Sequence, residues 1–369
     1  MEKKVRFFAF LTFFLYLCRT FEYQAYTTLN RDLLYSKLYR WYDTEHRPLP
    51  WRETSDPYCI WISEIILQQT RVAQGLEYYL RFVERFPDVQ TLASASEDEV
   101  MRYWQGLGYY SRARNLHKAA QLVVATTGTV GGGSDCTPEQ IFRHLLAMPG
   151  VGEYTAGAIA SFAFDLPYPA LDGNVYRVLA RLYDCDIPFD TSAGKRHFHR
   201  LANEILDSQH PRLFNSAIME FGALYCTPSA PDCSACPLQE FCLAYAHHTV
   251  ALLPVRKPRT TLRERYLNYT VYLTPDQHTL LHQRTANDIW KHLYEFPLTE
   301  SDHLLPVPAA AHTVDITHIL SHRRLHARFH IELVAGLPSI PDTIDIPFSS
   351  LDDYALSRLT IKALEALFA

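Results

Sequence analysis

The sequence predicts a multidomain protein with an all-α first part followed by a smaller α+β domain. Between about residues 28 and 248, apolar side chains recur at spacings of three and four residues, the period of amphipathic helices. The segment 249–264, rich in proline and basic residues, is typical of a linker. Beyond it, 266–274 and 327–336 alternate as strands do, and 352–368 has the pattern of a closing amphipathic helix.

Composition and charge are those of a folded soluble protein. The chain has 369 residues, of which 48% are hydrophobic and 20% are charged, and this length suggests two or three domains. The net charge of −5 gives no global nucleic-acid signature, so a nucleic-acid site would depend on local features.

The first 27 residues hold a basic start and an apolar run from Phe7 to Cys18. The run resembles a signal peptide, but it is too short to span a bilayer and no small-residue cleavage site follows it. We expect residues 1–27 to be an apolar extension that is either not native or disordered, and we expect no membrane partner.

Four of the eight cysteines crowd into a short segment with the spacing Cys226-x6-Cys233-x2-Cys236-x5-Cys242. Disulfide frameworks usually spread their cysteines along the chain, so this crowding indicates a metal site in a reducing compartment. Four thiolates this close can hold zinc or an iron–sulfur cube. The short, irregular loop is unlike the paired knuckles of a zinc ribbon.

The stretch AMPGVGEYTAGAIASF, residues 147–162, predicts a helix-turn-helix whose preceding helix begins with Thr137 as N-cap and Pro138 at its first position. Glycines at 150 and 152 let the backbone approach a ligand closely. The N–H groups that open the second helix can bind an anion such as a phosphate. An αα-hairpin without a ligand is the alternative. The inner side is expected to be formed by Leu145, Leu146, Met148 and Val151.

Two carboxylates stand in different predicted settings. Glu64 shares a helix face with Ile60, Trp61 and Leu67, and desolvation there favours a protonated carboxyl that can act as a general acid. The alternative is a glutamate paired with a buried arginine. Asp172 precedes a helix, where it can act as an N-cap and stay ionised. A neutral acid beside a charged one is the pattern that cleaves glycosidic bonds.

These motifs together resemble one family. The sequence resembles the endonuclease III-like helix-hairpin-helix superfamily of DNA glycosylases, and within it the MutY family of adenine glycosylases, over about residues 30–369. The motifs that carry the resemblance are LPWR (49–52), SEIILQQTRV (63–72), GLGYYSRARNLHKAA (106–120), MPGVGEYTAGAI (148–159), LDGNVYRVLAR (171–181), the cysteine loop and HILSHRRL (318–325).

The resemblance implies an all-α helix-hairpin-helix glycosylase core with a 4Fe-4S cluster loop, plus a C-terminal α+β Nudix-like domain. The core at 28–248 would consist of a six-helix lobe at about 58–165 and a cluster lobe from 28–57 plus 166–248. The linker 249–264 would lead to a MutT-like domain at 265–369 that recognises 8-oxoguanine. The four cysteines would hold one structural 4Fe-4S cluster.

The implied activity is hydrolytic removal of adenine mispaired with 8-oxoguanine or G in double-stranded DNA, by a monomeric enzyme. Glu64 would protonate the adenine and help to deliver water, while Asp172, with Asn174 beside it, would stabilise the cationic sugar. Tyr154 would assist at the sugar. Bifunctional relatives carry lysine there and cleave the strand through a Schiff base, so Tyr154 implies a monofunctional glycosylase.

The resemblance also implies the substrate-binding residues. Gln69 and Tyr109 would wedge into the duplex, and Ser216 stands where relatives often have Glu or Gln touching the base. Arg112, Arg114 and Lys118 are candidates for phosphate contacts. The remaining implied contacts are Gln68, Thr70 and Leu107 near the 8-oxoguanine; Arg47, Trp51, Arg52 and Leu67 around the adenine; Gly150 and Gly152 at a phosphate; and Ser321 and His322, after Leu320 in place of the family's usual Phe, in the loop that reads 8-oxoguanine.

Two alternatives remain. The first is a thymine or oxidised-pyrimidine glycosylase of the same fold, and the second is a non-catalytic DNA-binding module. Retention of both Glu64 and Asp172 argues against the second. A cytoplasmic, nucleoid-associated location is expected despite the signal-like start.

Overall fold

The computed structural model describes residues 30–133, 135–257, 262–308, 311–320 and 322–368. The chain forms two compact units. Unit 1 comprises the chain up to Glu64 together with 127–257, and unit 2 comprises 65–126 together with the chain from 258 onward. The predicted lobes at 58–165 and at 28–57 with 166–248 are a different partition, and they stay a prediction. The predicted extension 1–27 lies outside the described residues.

Unit 1 is helical throughout its described residues. Its helices are α1 (Arg31–Glu45), α2 (Pro57–Ile66, whose last two residues belong to unit 2), α7 (Pro138–Ala147), α8 (Glu153–Phe164), α9 (Gly173–Leu182), α10 (Ser192–Ile205), α11 (Pro211–Leu224) and α12 (Leu243–Ala246), with 3-10 turns at Pro50–Arg52, Gln239–Phe241 and Val250–Leu252. Helix α11 is central, because it packs against α1, α8 and α9. Its buried face carries Phe214, Ile218 and Phe221 into the core.

The described residues of unit 2 contain five helices, four before and one after the strands of two β-sheets. Its helices before the sheets are α3 (Val72–Arg85), α4 (Val89–Ser94), α5 (Glu97–Trp104) and α6 (Ser111–Thr126). The strands are β1 (Arg263–Leu273), β2 (His278–Gln283), β3 (Tyr294–Glu295), β4 (Leu298–Ser301), β5 (Thr313–Ile319), β6 (Arg323–Leu333) and β7 (Thr343–Pro347), and a 3-10 turn at Phe348–Asp353 precedes α13 (Arg358–Leu367).

The sheets have the strand orders β4-β1-β6-β5 and β3-β2-β7. Strands β1 and β6 run parallel over their full length, with Arg263 opposite Arg323 and Leu273 opposite Leu333, while the other pairs are antiparallel. Alternate residues of β1, such as Leu267, Tyr269 and Val271, are fully buried, as expected for a strand with one face on a core.

The predicted fold class is confirmed, because the described residues from Asn30 to Lys257 contain helices and no strand, and an α+β region follows. The predicted cap of α7 is also present, as Thr137 and Gln140 form a reciprocal capping box with Pro138 at the first turn. The first half of the predicted linker is not free. Arg181 donates to the carbonyls of Val250 and Leu253, which fixes that segment on unit 1.

Within the described residues, no helix combines the length and apolarity that a membrane crossing requires.

Candidate active site

Glu64 lies on the buried face of α2. Asp56 starts this helix by accepting hydrogen bonds from the backbone N–H groups of Tyr58 and Cys59 at 2.8 and 3.4 Å. Ile60 and Trp61, one turn before Glu64, are both 0% exposed, and Glu64 itself is 3% exposed. The predicted apolar setting of this carboxyl group is therefore present.

Two side chains contact the Glu64 carboxyl group. Tyr154 is the second residue of α8, and its hydroxyl donates to Glu64 Oε2 at 2.8 Å. Arg52 Nη1 lies 3.5 Å from Glu64 Oε1. Glu64 is thus on an apolar helix face and is also in contact with an arginine, whose side chain is 13% exposed. Tyr154 and Arg52, predicted for different tasks, meet on the same carboxyl group.

Arg52 is held by an aromatic ring that the sequence did not reveal. Its guanidinium carbon lies 3.7 Å from the ring centroid of Phe162, one of the fully buried residues of α8. Such cation–π packing restrains the guanidinium without neutralising it. Phe162 lies within the quoted hairpin, but nothing in a run of apolar residues distinguishes the one that will lie under a distant arginine.

Asp172 is the N-cap of α9, as predicted. Its Oδ1 accepts from the backbone N–H groups of Asn174 and Val175 at 2.9 and 2.8 Å, and its Oδ2 accepts from the Asn174 side-chain amide at 2.8 Å. The carboxyl group thus has a fixed orientation at the positive end of a helix.

Burial outweighs these hydrogen bonds in its effect on Asp172. Desolvation raises the pKa of the Asp172 carboxyl above its usual value, the bonds from Val175 and Asn174 oppose this, and negative charge on Glu64 adds to the rise. That Asp172 stays ionised remains a prediction, and the effect of desolvation is one that the sequence does not show. Burial also raises the pKa of Tyr154 well above that of an ordinary tyrosine, and charge on Glu64 and Asp172 adds to the effect.

Asn174 is connected to the cysteine segment through Arg177, which the sequence analysis did not single out. Arg177 Nη2 donates to Asn174 Oδ1 at 2.8 Å and to the Gly222 carbonyl at 2.5 Å, and its Nε donates to the Cys226 carbonyl at 2.7 Å. A Cβ atom at Gly222 would lie 2.8 Å from Asn174 Cβ, so glycine permits the close approach of α9 and α11. The signal available from sequence was an arginine on an otherwise apolar helix face.

The other residues predicted around the adenine are placed as follows. Arg47 makes a bidentate pair with Glu220, with Nε–Oε1 and Nη2–Oε2 distances of 2.5 and 2.8 Å, so its guanidinium is already engaged. Trp51 is buried, and Ser216 is buried on α11, where it hydrogen-bonds the Tyr42 hydroxyl. Leu67 belongs to unit 2.

The predicted hairpin is formed by α7, α8 and the turn between them. Gly150 has φ of 80°, in the region that favours glycine, and Gly152 is the N-cap of α8 with open space around its Cα. Leu145, Met148 and Val151 are buried as predicted, but Leu146 is 39% exposed. Leu146 follows Leu145 by only one position, and adjacent helical residues do not share a face.

Unit 2 carries the residues predicted to wedge into DNA. Gln69 and Tyr109 both have positive φ, 60° and 48°, and both are exposed. Leu107 is buried, and Gln68 and Thr70 flank Gln69 with intermediate exposure. The prediction that Arg112 binds phosphate is wrong for this structure, because its guanidinium donates to backbone carbonyls within unit 2. Arg114 donates to the Lys291 carbonyl and Lys118 is exposed, and their phosphate contacts stay predictions. Ser321 lies outside the described residues, and His322 is exposed between β5 and β6.

The four clustered cysteines line one cavity of about 30 Å³. Each has a free thiol, and Arg181 Nη1 lies 3.3 Å from Cys226 Sγ. No three His, Cys, Asp or Glu side chains among the described residues are close enough together to hold a single metal ion.

Comparison with known proteins identifies the family. A model of HhH-GPD superfamily base excision DNA repair proteins matches residues 62–204, and a NUDIX domain model matches 268–366. The adenine DNA glycosylase of Buchnera aphidicola subsp. Baizongia pistaciae is 34% identical over 270 residues, which cover 72% of this chain and 73% of that protein. The chain belongs to the adenine DNA glycosylase family. The family resemblance and the helix-hairpin-helix core with a C-terminal Nudix domain are therefore confirmed.

Other relatives of this adenine DNA glycosylase family member are longer. The adenine DNA glycosylase of Mus musculus is 43% identical over 241 residues, covering 63% of this chain but 46% of the mouse protein, and the coverage of the Rattus norvegicus protein is 42%. The chain thus spans less than half the length of these two relatives. Among solved structures, a thermostable thymine-DNA glycosylase is similar, with a TM-score of 0.51 and 27% identity over 59% of this chain and 97% of that one.

The environment of Asp172 predicts an unusual pH dependence of stability. Its pKa is raised in the folded state, so the stability it contributes is complete below the unfolded-state pKa, about 3.9, and is lost as pH rises through the folded-state value. In urea unfolding between about pH 4 and 8, the stability of the unsubstituted protein relative to Asp172→Asn should therefore fall as pH rises.

Asp207 provides a matched control of opposite sign in the same unit. Burial favours its neutral form, but hydrogen bonds from Tyr39, Gln209 and His210 outweigh burial and lower its pKa. The stability of the unsubstituted protein relative to Asp207→Asn should rise with pH over the acidic part of the range, as the carboxylate ionises. Parallel slopes for the two variants would contradict this assignment of the Asp172 environment.

Proposed function

We propose that the chain is a monofunctional DNA glycosylase of base excision repair that hydrolyses the N-glycosidic bond of adenine mispaired with 8-oxoguanine or G. The observation that carries the proposal is that buried Glu64 accepts a hydrogen bond from Tyr154 while the capped Asp172 lies close enough for its charge and that of Glu64 to act within one site. It unites a carboxyl group on an apolar helix face with a carboxylate at the positive end of a helix. Membership of the adenine DNA glycosylase family supports the choice of base.

In the proposed reaction, the adenine leaves the base stack before cleavage. Protonated Glu64 gives its proton to N7 of the base, the C1′–N9 bond breaks, and the bonding electrons depart with the neutral adenine. Asp172 stabilises the cationic sugar that remains. A water molecule then attacks C1′ and returns a proton to Glu64, which restores the starting state.

Tyr154 and Arg52 would position Glu64 in this scheme. The Tyr154 hydroxyl donates to Oε2 and fixes the orientation of the carboxyl group, and it has no amine with which to form a Schiff base. The Arg52 contact to Oε1, at 3.5 Å, is at the outer limit of a hydrogen bond. An incoming base can therefore take over the guanidinium without disrupting a strong ion pair.

The N–H groups at the turn before α8 are the proposed phosphate contact. Gly152 has open space around it, and the helix that follows is long enough to present a positive end to an anion. Double-stranded DNA is the proposed partner, and we propose that the chain acts as a monomer in the cytoplasm, associated with the nucleoid.

The proposal predicts the outcome of one assay on three duplexes, with A opposite 8-oxoguanine, A opposite G and T opposite G. Strand breaks should appear for the two adenine duplexes, and only after heating in alkali, because a monofunctional enzyme leaves an intact abasic strand. Glu64→Gln should slow adenine release by about a hundredfold or more, since a general acid is lost, while mismatch binding in a gel-shift assay is retained.

Glu204→Gln is the matched control, because Glu204 forms an exposed pair with Arg200 and should leave the rate unchanged. Loss of thymine from the third duplex would support the second candidate, a thymine glycosylase, which the similar solved structure favours. Binding without base loss from any duplex would support a non-catalytic module. Breaks before alkali would contradict monofunctional chemistry.

We propose that the loop between β5 and β6 supplies the preference for 8-oxoguanine. The backbone closes the loop through a 2.8 Å hydrogen bond from Leu320 N–H to the Arg323 carbonyl. Arg323 is held by Asp288, which also binds Arg265, and charge pairing with these arginines helps to lower the pKa of Asp288 to about 2 against the effect of burial. An exposed His322 beside the anchored Arg323 is suited to reading an opposite base.

His322→Ala should lower the ratio of adenine release opposite 8-oxoguanine to release opposite G by about threefold to tenfold, the value of one hydrogen bond. Single-turnover rates on both duplexes measure this ratio, and the rate opposite G should not change. His303→Ala is the control, because His303 is an exposed histidine of the same unit paired with Asp302. An equal loss on both duplexes would argue against a role in reading the opposite base.

We further propose that Cys226, Cys233, Cys236 and Cys242 hold one structural 4Fe-4S cluster. Their shared cavity, free thiols and an arginine donor beside Cys226 Sγ suit this group. When bound, the cluster would fix the loop from 226 to 242. The chain's own residues Arg177 and Arg181 would connect that loop to α9.

Purified protein should contain about four iron and four sulfide per chain with visible charge-transfer absorption. Cys236→Ser should reduce both contents, because a hydroxyl is a poor ligand for iron in such clusters. Cys185→Ser is the control, since Cys185 is buried in the same unit but does not line the cavity. Stoichiometric zinc, or full iron content in Cys236→Ser, would contradict the proposal.

A further inference from the structure

Two loops of unit 2 hold non-glycine residues in the left-handed region of backbone conformation. They are the loop after α2, at Gln69, and the loop before α6, at Tyr109, with φ of 60° and 48°. Such conformations are unfavourable for residues with a Cβ atom and persist only where the surroundings impose them. Both side chains are exposed, and Tyr109 is 48% exposed.

One guanidinium group binds both loops. Arg112 Nη1 donates to the carbonyls of Ile65, Ile66 and Gln68 at 2.8, 3.0 and 2.5 Å, and its Nη2 donates to the Gly108 carbonyl at 3.3 Å. Two of these acceptors, Ile65 and Ile66, are the last residues of α2, where helical carbonyls lack internal partners, and Gln68 lies in the loop that follows. The fourth acceptor, Gly108, directly precedes Tyr109, so the same guanidinium group binds the backbone of both loops.

Aromatic packing completes this arrangement. The guanidinium carbon of Arg112 lies 5.2 Å from the ring centroid of Trp104 and 5.6 Å from that of Tyr109, and Trp104 Nε1 donates to the same Gly108 carbonyl at 3.1 Å. Carbonyl dipoles and ring faces are all favourable to a cation. The Arg112 group therefore fixes the Tyr109 side chain as well as the backbone before it.

Burying the Arg112 guanidinium is energetically costly, which indicates that the residue has a specific structural role. Burial lowers its pKa to about 10, and its Nε has no hydrogen-bond partner among the described residues. No carboxylate pairs with it in the described part of the chain, so backbone carbonyls and the two aromatic rings compensate its charge. This burial also removes it from the phosphate contacts that its position on α6 predicted.

We infer that Arg112 is a positioning residue that holds the Gln69 and Tyr109 loops together in the conformation that extrudes the target adenine. The inference rests on the proposed function, because it assumes a duplex substrate from which a base must be removed. Gln69 and Tyr109 touch the DNA, and Arg112 acts through them. Without the guanidinium, the two loops lose their shared donor and relax independently.

The test separates extrusion from cleavage. The first duplex carries 2-aminopurine opposite G, and the rise in its fluorescence reports extrusion. The second duplex carries adenine in a mispair. The third carries adenine in a single-base bulge, where no pairing opposes extrusion. In Arg112→Met, the fluorescence rise and single-turnover release of paired adenine should slow at least about tenfold, while release of bulged adenine stays within about twofold. Arg112→Lys, which keeps the charge but lacks the planar fork, should be intermediate.

Arg81→Met is the matched control. Arg81 also belongs to unit 2, donates to the Tyr103 carbonyl at 3.0 Å and lies over the Tyr78 ring at 4.8 Å, but it binds neither loop. It should leave all three signals unchanged. Equal loss on paired and bulged adenine in either Arg112 variant would overturn the inference, as would an unchanged fluorescence rise in Arg112→Met. If the unsubstituted protein extrudes 2-aminopurine but releases no base, the proposed function fails and the extrusion comparison still stands.

Discussion

The arrangement of unit 1 depends on keeping two carboxyl groups, Glu64 and Asp172, close together and out of water. Negative charge on Glu64 adds to desolvation in raising the pKa of Asp172. The structure compensates with donors from different elements, which are the Tyr154 hydroxyl, the Arg52 guanidinium and the N–H groups at the start of α9. An unpaired buried carboxylate would be far more destabilising than any single contact here is stabilising. These donors therefore determine where the helices that carry them can lie.

The same constraint explains the close packing of α9 on α11. Asn174 must orient Asp172 with its amide N–H while its carbonyl oxygen needs a donor of its own, and Arg177 provides that donor. The Arg177 guanidinium also donates to the Cys226 carbonyl. Helix α9, which Asp172 caps, and the cysteine segment are therefore joined by this one buried arginine. Gly222 is required at the crossing because any Cβ atom would overlap Asn174. Order in the cysteine segment and order at Asp172 are consequently not independent.

Features that depend on neighbours in the chain were predictable from sequence. The burial of Glu64, the cap at Asp172 and the capping box of α7 follow from spacings of three or four residues, and the structure has all of them. Features that depend on distant partners were not predictable. Phe162 under Arg52 and Arg177 against Cys226 join residues separated by 110 and 49 positions along the chain. Arg112 was misassigned for the same reason, because a basic helix face looks the same whether it meets solvent or backbone carbonyls. The raised pKa of Asp172 was not foreseen either, because capping is local and desolvation is not.

The contacts that the arginines make within the protein affect how a chain with a net charge of −5 would bind DNA. Arg112, Arg177 and Arg181 each donate mainly to backbone carbonyls inside their own unit, so their charges stabilise loops and do not form a phosphate-binding surface. Neutral backbone N–H groups at the α8 turn and two conformationally restricted loops remain as the proposed contacts. Binding through such groups depends on shape and on donor direction more than on summed charge. Under the proposed function, non-specific attraction to the DNA backbone would be weak, and the loops at Gln69 and Tyr109 would test whether a base can be removed.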